Sequence, residues 1–379
     1  MENKKKVMII AGEASGDSHG ARLVKAMLKF NKRLLFFGIG GEAMKAAGVE
    51  IRVNYAAMAV VGLSEVFVKL GSLLRALRIA KRDLRKRRPD LLIVIDFPDF
   101  NLHVATTAKK LGIPVLYYIS PQIWAWRVGR LKKIRKAVDH MIVIFPFEED
   151  FYRRSNIPVT FVGHPLLDHT PPAVGSNHPR DSETDGVVIG CLPGSRNEEV
   201  RRLLPVIARA SEIISRHVSR PRFTIPLAPS VNRTMVEQIL RGTPSRFHLV
   251  SNRLHEVFEQ STLLITASGT VTLEAALAGT PMIIIYKVSG FSYWIGKHLI
   301  RVKHIGLPNL IAGRCIAPEL IQHKASPENI ARHALALLRN QTTLQEMHCQ
   351  LIHTAQTLGS PGASERAAEI ALSMLVNPS

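Results

Sequence analysis

The chain has 379 residues, enough for two domains with cores of their own. Its three cysteines, Cys191, Cys315 and Cys349, lie far apart with no CxxC pair, which argues against a disulfide framework or a zinc site and suits a reducing compartment. Lys and Arg number 50 against 30 Asp and Glu, and residues 1–165 hold 29 of the basic and 14 of the acidic ones, so the first half calls for a polyanion, an anionic membrane or a phosphorylated substrate unless it is only a solvated face.

Val7–Ala11 reads as a buried strand that runs into Gly12-Glu13-Ala14-Ser15-Gly16-Asp17, with a helix from about His19 to Phe30. The glycine spacing is not GxGxxG, so a dinucleotide fingerprint is unsupported. The apolar run is too short for a signal-peptide core, and no run is long enough to span a bilayer. Leu34–Ile39 is a second strand. Residues 58–88 then place Leu63, Val66, Phe67, Leu70, Leu73, Leu74 and Leu77 at helical spacing, followed by Arg85-Lys86-Arg87-Arg88. That pattern fits a core helix with a basic exit, and equally an interfacial helix that dips into a membrane.

Leu91–Ile95 is a strongly apolar strand that delivers Asp96 at its carboxyl end, ahead of Phe97-Pro98-Asp99-Phe100-Asn101. Val115–Ile119 leads into Ser120-Pro121-Gln122-Ile123-Trp124-Ala125-Trp126-Arg127, and a basic helix covers Arg130–Lys136. Met141–Phe145 and Thr160–Val162 continue the sheet, and residues 1–165 form the first domain. Residues 166–186, rich in Pro, Gly, Ser, Asp and His, read as a linker.

A second domain, residues 187–362, opens with the strand Val187–Leu192 and the turn Pro193-Gly194-Ser195-Arg196. Strands Phe223–Leu227 and Phe247–Val250 follow. Leu263–Ala267 then stops at Ser268-Gly269-Thr270, a helix carries Leu273, Ala276 and Leu277 on one face, and Met282–Tyr286 is the next strand. Gly306-Leu307-Pro308-Asn309 reads as a loop. Helices follow at about Pro327–Arg339, Thr342–Leu358 and Ala363 to the end. Both halves alternate strands with helices, which predicts an α/β protein of two doubly wound, Rossmann-like domains facing a cleft.

Ligands of such sheets bind beyond the carboxyl ends of the strands. Gly194-Ser195-Arg196 and Ser268-Gly269-Thr270 offer backbone donors, hydroxyls, helix starts that attract an anion, and a guanidinium whose planar fork suits a pyrophosphate. Glu274 can reach ribose hydroxyls. The competing reading is an ordinary turn capped by Ser268 or Thr270. No GxxxxGK[ST] is present, and no Asp/Glu/His cluster has metal-ligand spacing, so neither a P-loop nor a metal or other cofactor is expected. Asp96 is a candidate general base, with Asp99 on the same loop as its rival; a helix cap is the plainer role for Asp96. Among 15 histidines, His164 at the domain junction stands out.

Ala11–Asp17, Ile95–Asn101, Ser120–Arg127, Leu192–Arg196, Ala267–Thr270 with Glu274, and Leu307–Leu310, in this order, resemble the motifs of the lipid-A-disaccharide synthase family over about residues 7–375. The resemblance implies an inverting glycosyltransferase of the two-Rossmann-domain, GT-B type. It would join UDP-2,3-diacylglucosamine to 2,3-diacylglucosamine 1-phosphate and release UDP and the β-1,6-linked disaccharide 1-phosphate. By motif match it makes Asp96 the base, and Ser195, Arg196, Ser268, Gly269, Thr270, Glu274 and Asn309 the donor site. Gly12, Ser15, Gly16 and Asp17 would line the acceptor side, and the helix from Ala363 would cross back onto the first domain. The expected setting is the cytoplasmic, anionic surface of a Gram-negative inner membrane, touched peripherally by Leu63, Val66, Phe67, Leu70, Leu73 and Leu74. A homodimer is left open. Two other classes compete: a nucleotide-sugar epimerase of the same architecture, and a basic nucleic-acid-binding protein. Against the last stand an aromatic content of only 6% and the lack of an RNA-binding motif.

Overall fold

The apolar runs of the sequence become strands buried on both faces, as expected where helices cover a parallel sheet on both sides. The computed structural model describes residues 4–58, 66–126, 128–169, 186–288 and 303–376, with backbone alone at 57–58, 66–70, 126 and 128. The chain divides into two units, residues 1–169 with 358–379 and residues 170–357.

The first unit is built on β1 (Lys6–Ala11), β2 (Leu35–Gly40), β3 (Glu50–Asn54), β4 (Leu91–Ile95), β5 (Val115–Tyr118), β6 (His140–Val143) and β7 (Val159–Phe161). Their order is β3-β2-β1-β4-β5-β6-β7, with every pair parallel. The second unit holds β8 (Val188–Leu192), β9 (Arg222–Leu227), β10 (Phe247–Ser251), β11 (Leu263–Ala267), β12 (Met282–Tyr286) and β13 (Glu319–Ile321), in the order β10-β9-β8-β11-β12-β13 and also parallel. Each sheet winds outward from its first strand in one direction and then in the other. The order reverses between β1 and β4 and between β8 and β11, the switch points where such sheets bind ligands. Ala11 lies opposite Ile95, so β1 and β4 end side by side.

Several expectations shift. The first helix spans Ala14–Phe30 and begins five residues ahead of His19, which puts Ser15, Gly16 and Asp17 in its first turn. Gly306–Asn309 is not a loop throughout, because Leu307 and Pro308 open a short helix, Leu307–Ala312. β3 carried no apolar run: it is a half-exposed edge strand whose Glu50 pairs with Arg52 and Arg87. Residues 166–168, expected in the linker, lie in a 3-10 turn, Pro165–Asp168, of the first unit; residues 170–185 fall outside the described residues.

The last helix, Ala363–Val376, packs in the core of the first unit, where Ala367, Ala368, Ala371 and Leu375 are buried with Val7, Leu23 and Met27. Asp168 fixes its start, accepting hydrogen bonds from the Gly362 N–H at 2.7 Å and the Ser364 hydroxyl at 3.1 Å. The helix Val66–Arg87 lies across the other sheet face. There Leu73 and Leu77 pack on the core beside buried Ala76, Ala80 and Leu84, whereas Leu74 is 42% exposed. The other members of the stripe, Leu63, Val66, Phe67 and Leu70, have side chains outside the described residues. Leu73 is therefore a core residue, since the helix turns that side toward the sheet.

Candidate functional site

In the first unit the switch point brings together the Gly12–Asp17 turn after β1 and Asp96 after β4. Gly12 is required by close approach: a β-carbon there would lie 2.4 Å from the Phe97 ring, which covers it. Asp96 is partly buried. Burial, reinforced by the nearby Glu13 carboxylate, pushes its carboxyl up to about 6 against a hydrogen bond from the Phe97 backbone. That is the range a base needs near neutral pH. The plainer role as a helix cap does not hold: the helix Pro98–Lys110 is preceded by Phe97, and no side chain caps it. Asp99 is exposed and ion-paired to Arg130, so its charge is already engaged.

Ser15 is exposed in the first turn of the helix, and Gly16 is buried beside the strands. Asp17 faces inward, 4% exposed. Its carboxylate accepts from the N–H groups of Gly41, Ala43 and Met44 at 2.6, 3.0 and 3.2 Å, so it closes the start of the helix Glu42–Ala46. Beyond β5, Ser120 and Trp124 both donate to buried Glu148, at 2.6 and 3.0 Å, which ties the tryptophan loop to the end of β6. Glu13 and Glu148 were not picked out from sequence; only their positions in the fold reveal their partners. His164 is 5% exposed and pushed down to about 4 by burial, and the Leu166 N–H donates to its Nδ1 at 3.1 Å, so a neutral ring carries its proton on Nε2.

In the second unit the switch point opens into a cavity of about 680 Å³. It is lined by Gly194, Ser195 and Arg196 after β8 and by Ser268, Gly269, Thr270 and Glu274 after β11. Gly194 adopts φ 122°, and a β-carbon there would meet Glu199 at 2.5 Å. Glu199 folds back from the first turn of the helix Asn197–Ser215 to accept from the N–H groups of Ser195 and Arg196, at 3.0 and 3.3 Å, and it pairs with the exposed Arg196 guanidinium at 3.1 Å. The helix Val271–Leu277 is a weaker donor than its position suggested. The N–H groups of Thr272 and Leu273 bond Gly269 and Thr270 carbonyls at 3.0 and 2.9 Å, and Ser268 turns its hydroxyl to the Ile305 carbonyl at 2.9 Å. Neither Ser268 nor Thr270 caps that helix by its side chain. Burial raises the Glu274 carboxyl, with His255 pulling the other way.

Asn252 and Arg253 after β10, with Leu254 and His255 at the start of the helix Leu254–Gln260, complete the cavity wall. Its signal in the sequence was slight: an Asn after a strand, here at φ 57°. Asn309 is not in the wall. It is fully buried, donates to the Ala317 carbonyl at 2.7 Å and Glu319 at 2.8 Å, and accepts from the Ile316 and Ala317 N–H groups at 2.8 and 2.9 Å. Its polar atoms are thus spent on the loop before β13, and direct contact with a ligand is closed to it in this arrangement. Among the described residues no group of three or more His, Cys, Asp or Glu side chains could hold a metal ion.

A model of the family described as lipid-A-disaccharide synthetase matches residues 7–374. The chain belongs to the lipid-A-disaccharide synthase family. The family's Syntrophus aciditrophicus member, named lipid-A-disaccharide synthase, is 47% identical over 381 residues, covering 98% of each chain. The Geobacter metallireducens synthase is 45% identical over 374 residues, covering 98% of this chain and 97% of its own. Among solved structures, Acinetobacter baumannii MurG aligns with TM-score 0.62 at 16% identity, covering 98% of this chain and 100% of its own. The calicheamicin glycosyltransferase CalG4 aligns with TM-score 0.61 at 15% identity and covers all of both chains. At such identities these likenesses speak for the fold alone: two Rossmann-like domains of the GT-B type.

Proposed function

We propose that the chain transfers 2,3-diacylglucosamine from its UDP derivative to the 6-hydroxyl of 2,3-diacylglucosamine 1-phosphate, with inversion, in lipid A biosynthesis. The observation that carries this reading is the whole-length match to synthases 40–47% identical. The epimerase alternative is not favoured, because UDP-N-acetylglucosamine 2-epimerase structures share only 12–16% identity with the chain and so carry the fold alone. The nucleic-acid-binding alternative is not favoured either, because the relatives that match at 40–47% identity are named lipid-A-disaccharide synthase.

The two switch points divide the work. UDP takes the cavity of the second unit: the Arg196 guanidinium with the Ser195 hydroxyl holds the diphosphate, Gly269 and Thr270 let it approach, and Glu274 takes the ribose hydroxyls. The acceptor takes the Gly12–Ser15 side of the first unit, where Asp17 braces the start of the helix Glu42–Ala46; on the donor side Asn309 braces the loop before β13 from within. Asp96 removes the proton of the attacking hydroxyl as it bonds to the anomeric carbon from the face opposite UDP, and UDP leaves with the bonding pair. Its partly buried, raised carboxyl supports that role.

The first unit touches an anionic membrane surface. Helices Val66–Arg87, Pro98–Lys110 and Leu131–Ala137 pack side by side on one sheet face, and Lys81 and Lys133 are close enough to His103 to depress its protonation after burial has done so. A face of that sign draws anionic headgroups. Among the described residues no helix is long and apolar enough to cross a membrane. The test is product analysis by mass spectrometry with UDP-diacylglucosamine, with and without the acceptor. Disaccharide and UDP formed only with both substrates is the expected result; turnover of the UDP-sugar alone refutes the reading.

A further inference from the structure

The backbone that carries Asp96 is held in a shape that L-residues avoid. Asp96 and its neighbour Phe97 are both left-handed, at φ 43° and 45°. At the adjacent strand end Ile119 is left-handed too, at φ 60°, a rare state for a β-branched residue, and its carbonyl accepts the Asp96 N–H at 3.3 Å. Such residues persist only where the surroundings over-determine them. Here two buried side chains do so. The Asp96 carbonyl accepts the Asn101 side-chain N–H and the Tyr117 hydroxyl, each at 2.6 Å. The Asn101 amide also donates to the Ile95 carbonyl at 3.0 Å, and both Asn101 and Tyr117 are fully buried.

We infer that Asn101 and Tyr117 are positioning residues for the transfer reaction: by engaging both lone pairs of the Asp96 carbonyl they lock the left-handed Asp96–Phe97 pair and so aim the Asp96 carboxylate. The inference rests on the reading of Asp96 as the base. With the carbonyl pinned and φ positive, the direction of the Asp96 Cα–Cβ bond is fixed. If the peptide relaxes toward the extended region, the same carboxylate swings away from the strand end, although its charge and sequence position are unchanged. A buried hydroxyl or amide is costly unless bonded, and here both find their partner in the Asp96 carbonyl, so the two side chains and that carbonyl hold one another in place. Phe97 locks the pair from the other side by lying on Gly12.

The test uses Tyr117→Phe, which removes one oxygen and keeps the ring, and Asn101→Ala, each alone and combined with Asp96→Asn. Turnover and KM for both substrates are measured from pH 5 to 9, with thermal unfolding alongside. Tyr117→Phe is expected to lower kcat by roughly 10- to 100-fold, as a misplacement of about 1 Å does, with each KM held within about twofold. The acid limb of its pH profile moves from the wild-type position, and it has no further effect in the Asp96→Asn background. Asn101→Ala follows the same pattern where it folds. The inference is overturned if Tyr117→Phe leaves kcat and the acid limb unchanged while Asp96→Asn is inactive, or if it lowers kcat by the same factor with and without Asp96. Near-normal turnover of Asp96→Asn would instead bring down the reading of Asp96 itself, and this inference with it.

Discussion

Asp96 and Asp99 stand three residues apart, yet they differ in environment. Asp96 is partly buried with its carboxyl raised to about 6, whereas Asp99 is exposed and paired with Arg130. A base must be ionised, so a carboxyl that titrates at about 6 is protonated and idle below that pH. Turnover is expected to fall tenfold per unit below about pH 6, and Asp96→Asn to lose roughly 10²–10⁴-fold while still binding UDP. Turnover within a few-fold of wild type would transfer the role to another group. Arg196 makes a second residue-scale case. Its guanidinium is 79% exposed, and its pair with Glu199 is worth little in water, so a diphosphate can take it over at small cost. Arg196→Ala is expected to weaken UDP binding by about 1.5–3 kcal/mol, read by calorimetry. At His164 the ring is neutral in the folded state down to about pH 4, while in the unfolded chain it protonates near 6.5. The unfolded state therefore binds the extra proton in that window, and the stability present above pH 6.5 is lost as pH falls toward 4. His164→Gln should flatten this part of the stability profile.

At the scale of elements, the strand-end turns are held by contacts that sequence spacing does not display. The Gly12 turn and the Asp96 turn meet through the Phe97 ring. Gly12→Ala is expected to cost about 1–3 kcal/mol by overpacking and to lower turnover, with Phe97→Leu in the same chain recovering part of the stability. The helix Val66–Arg87 shows how far periodicity reached. It was legible as amphipathic, and its register could not say whether core or lipid meets the stripe, since both are apolar solvents for leucine. The sheet decides for Leu73 and Leu77, which pack on its core, and leaves Leu74 outside. Leu73→Ser should destabilise by about 2 kcal/mol or more, and Leu74→Ser by less than about 0.5, in chemical denaturation.

For the whole molecule, charge and apolar surface together set the expected behaviour at a membrane. Basic residues near an anionic surface contribute about 1 kcal/mol each, so vesicle binding should weaken with salt. Ser at Phe67 and Leu74 together, seven residues apart and so on one side of the helix, should abolish binding without unfolding the first unit, measured by co-sedimentation beside thermal unfolding. Loss of the fold, or indifference of the wild type to anionic vesicles, would leave the basic face in need of another partner. The sequence by itself determined the two α/β halves, the strands β4, β11 and β12 to the residue, and the turns that carry Asp96 and Arg196 and precede the helix of Glu274, because long apolar runs and small-residue turns are local signals. Only the tertiary structure decided what each polar side chain does once there. It turned Asp17 and Asn309 inward to bond backbone groups, brought Asn252 to His255 into the cavity wall from beyond another strand, and set Asn101 and Tyr117 on the Asp96 carbonyl. The reason is physical: periodicity reports which face is apolar, whereas a buried polar group is settled by the partner it finds, and that partner sits on another strand or helix brought near only by folding.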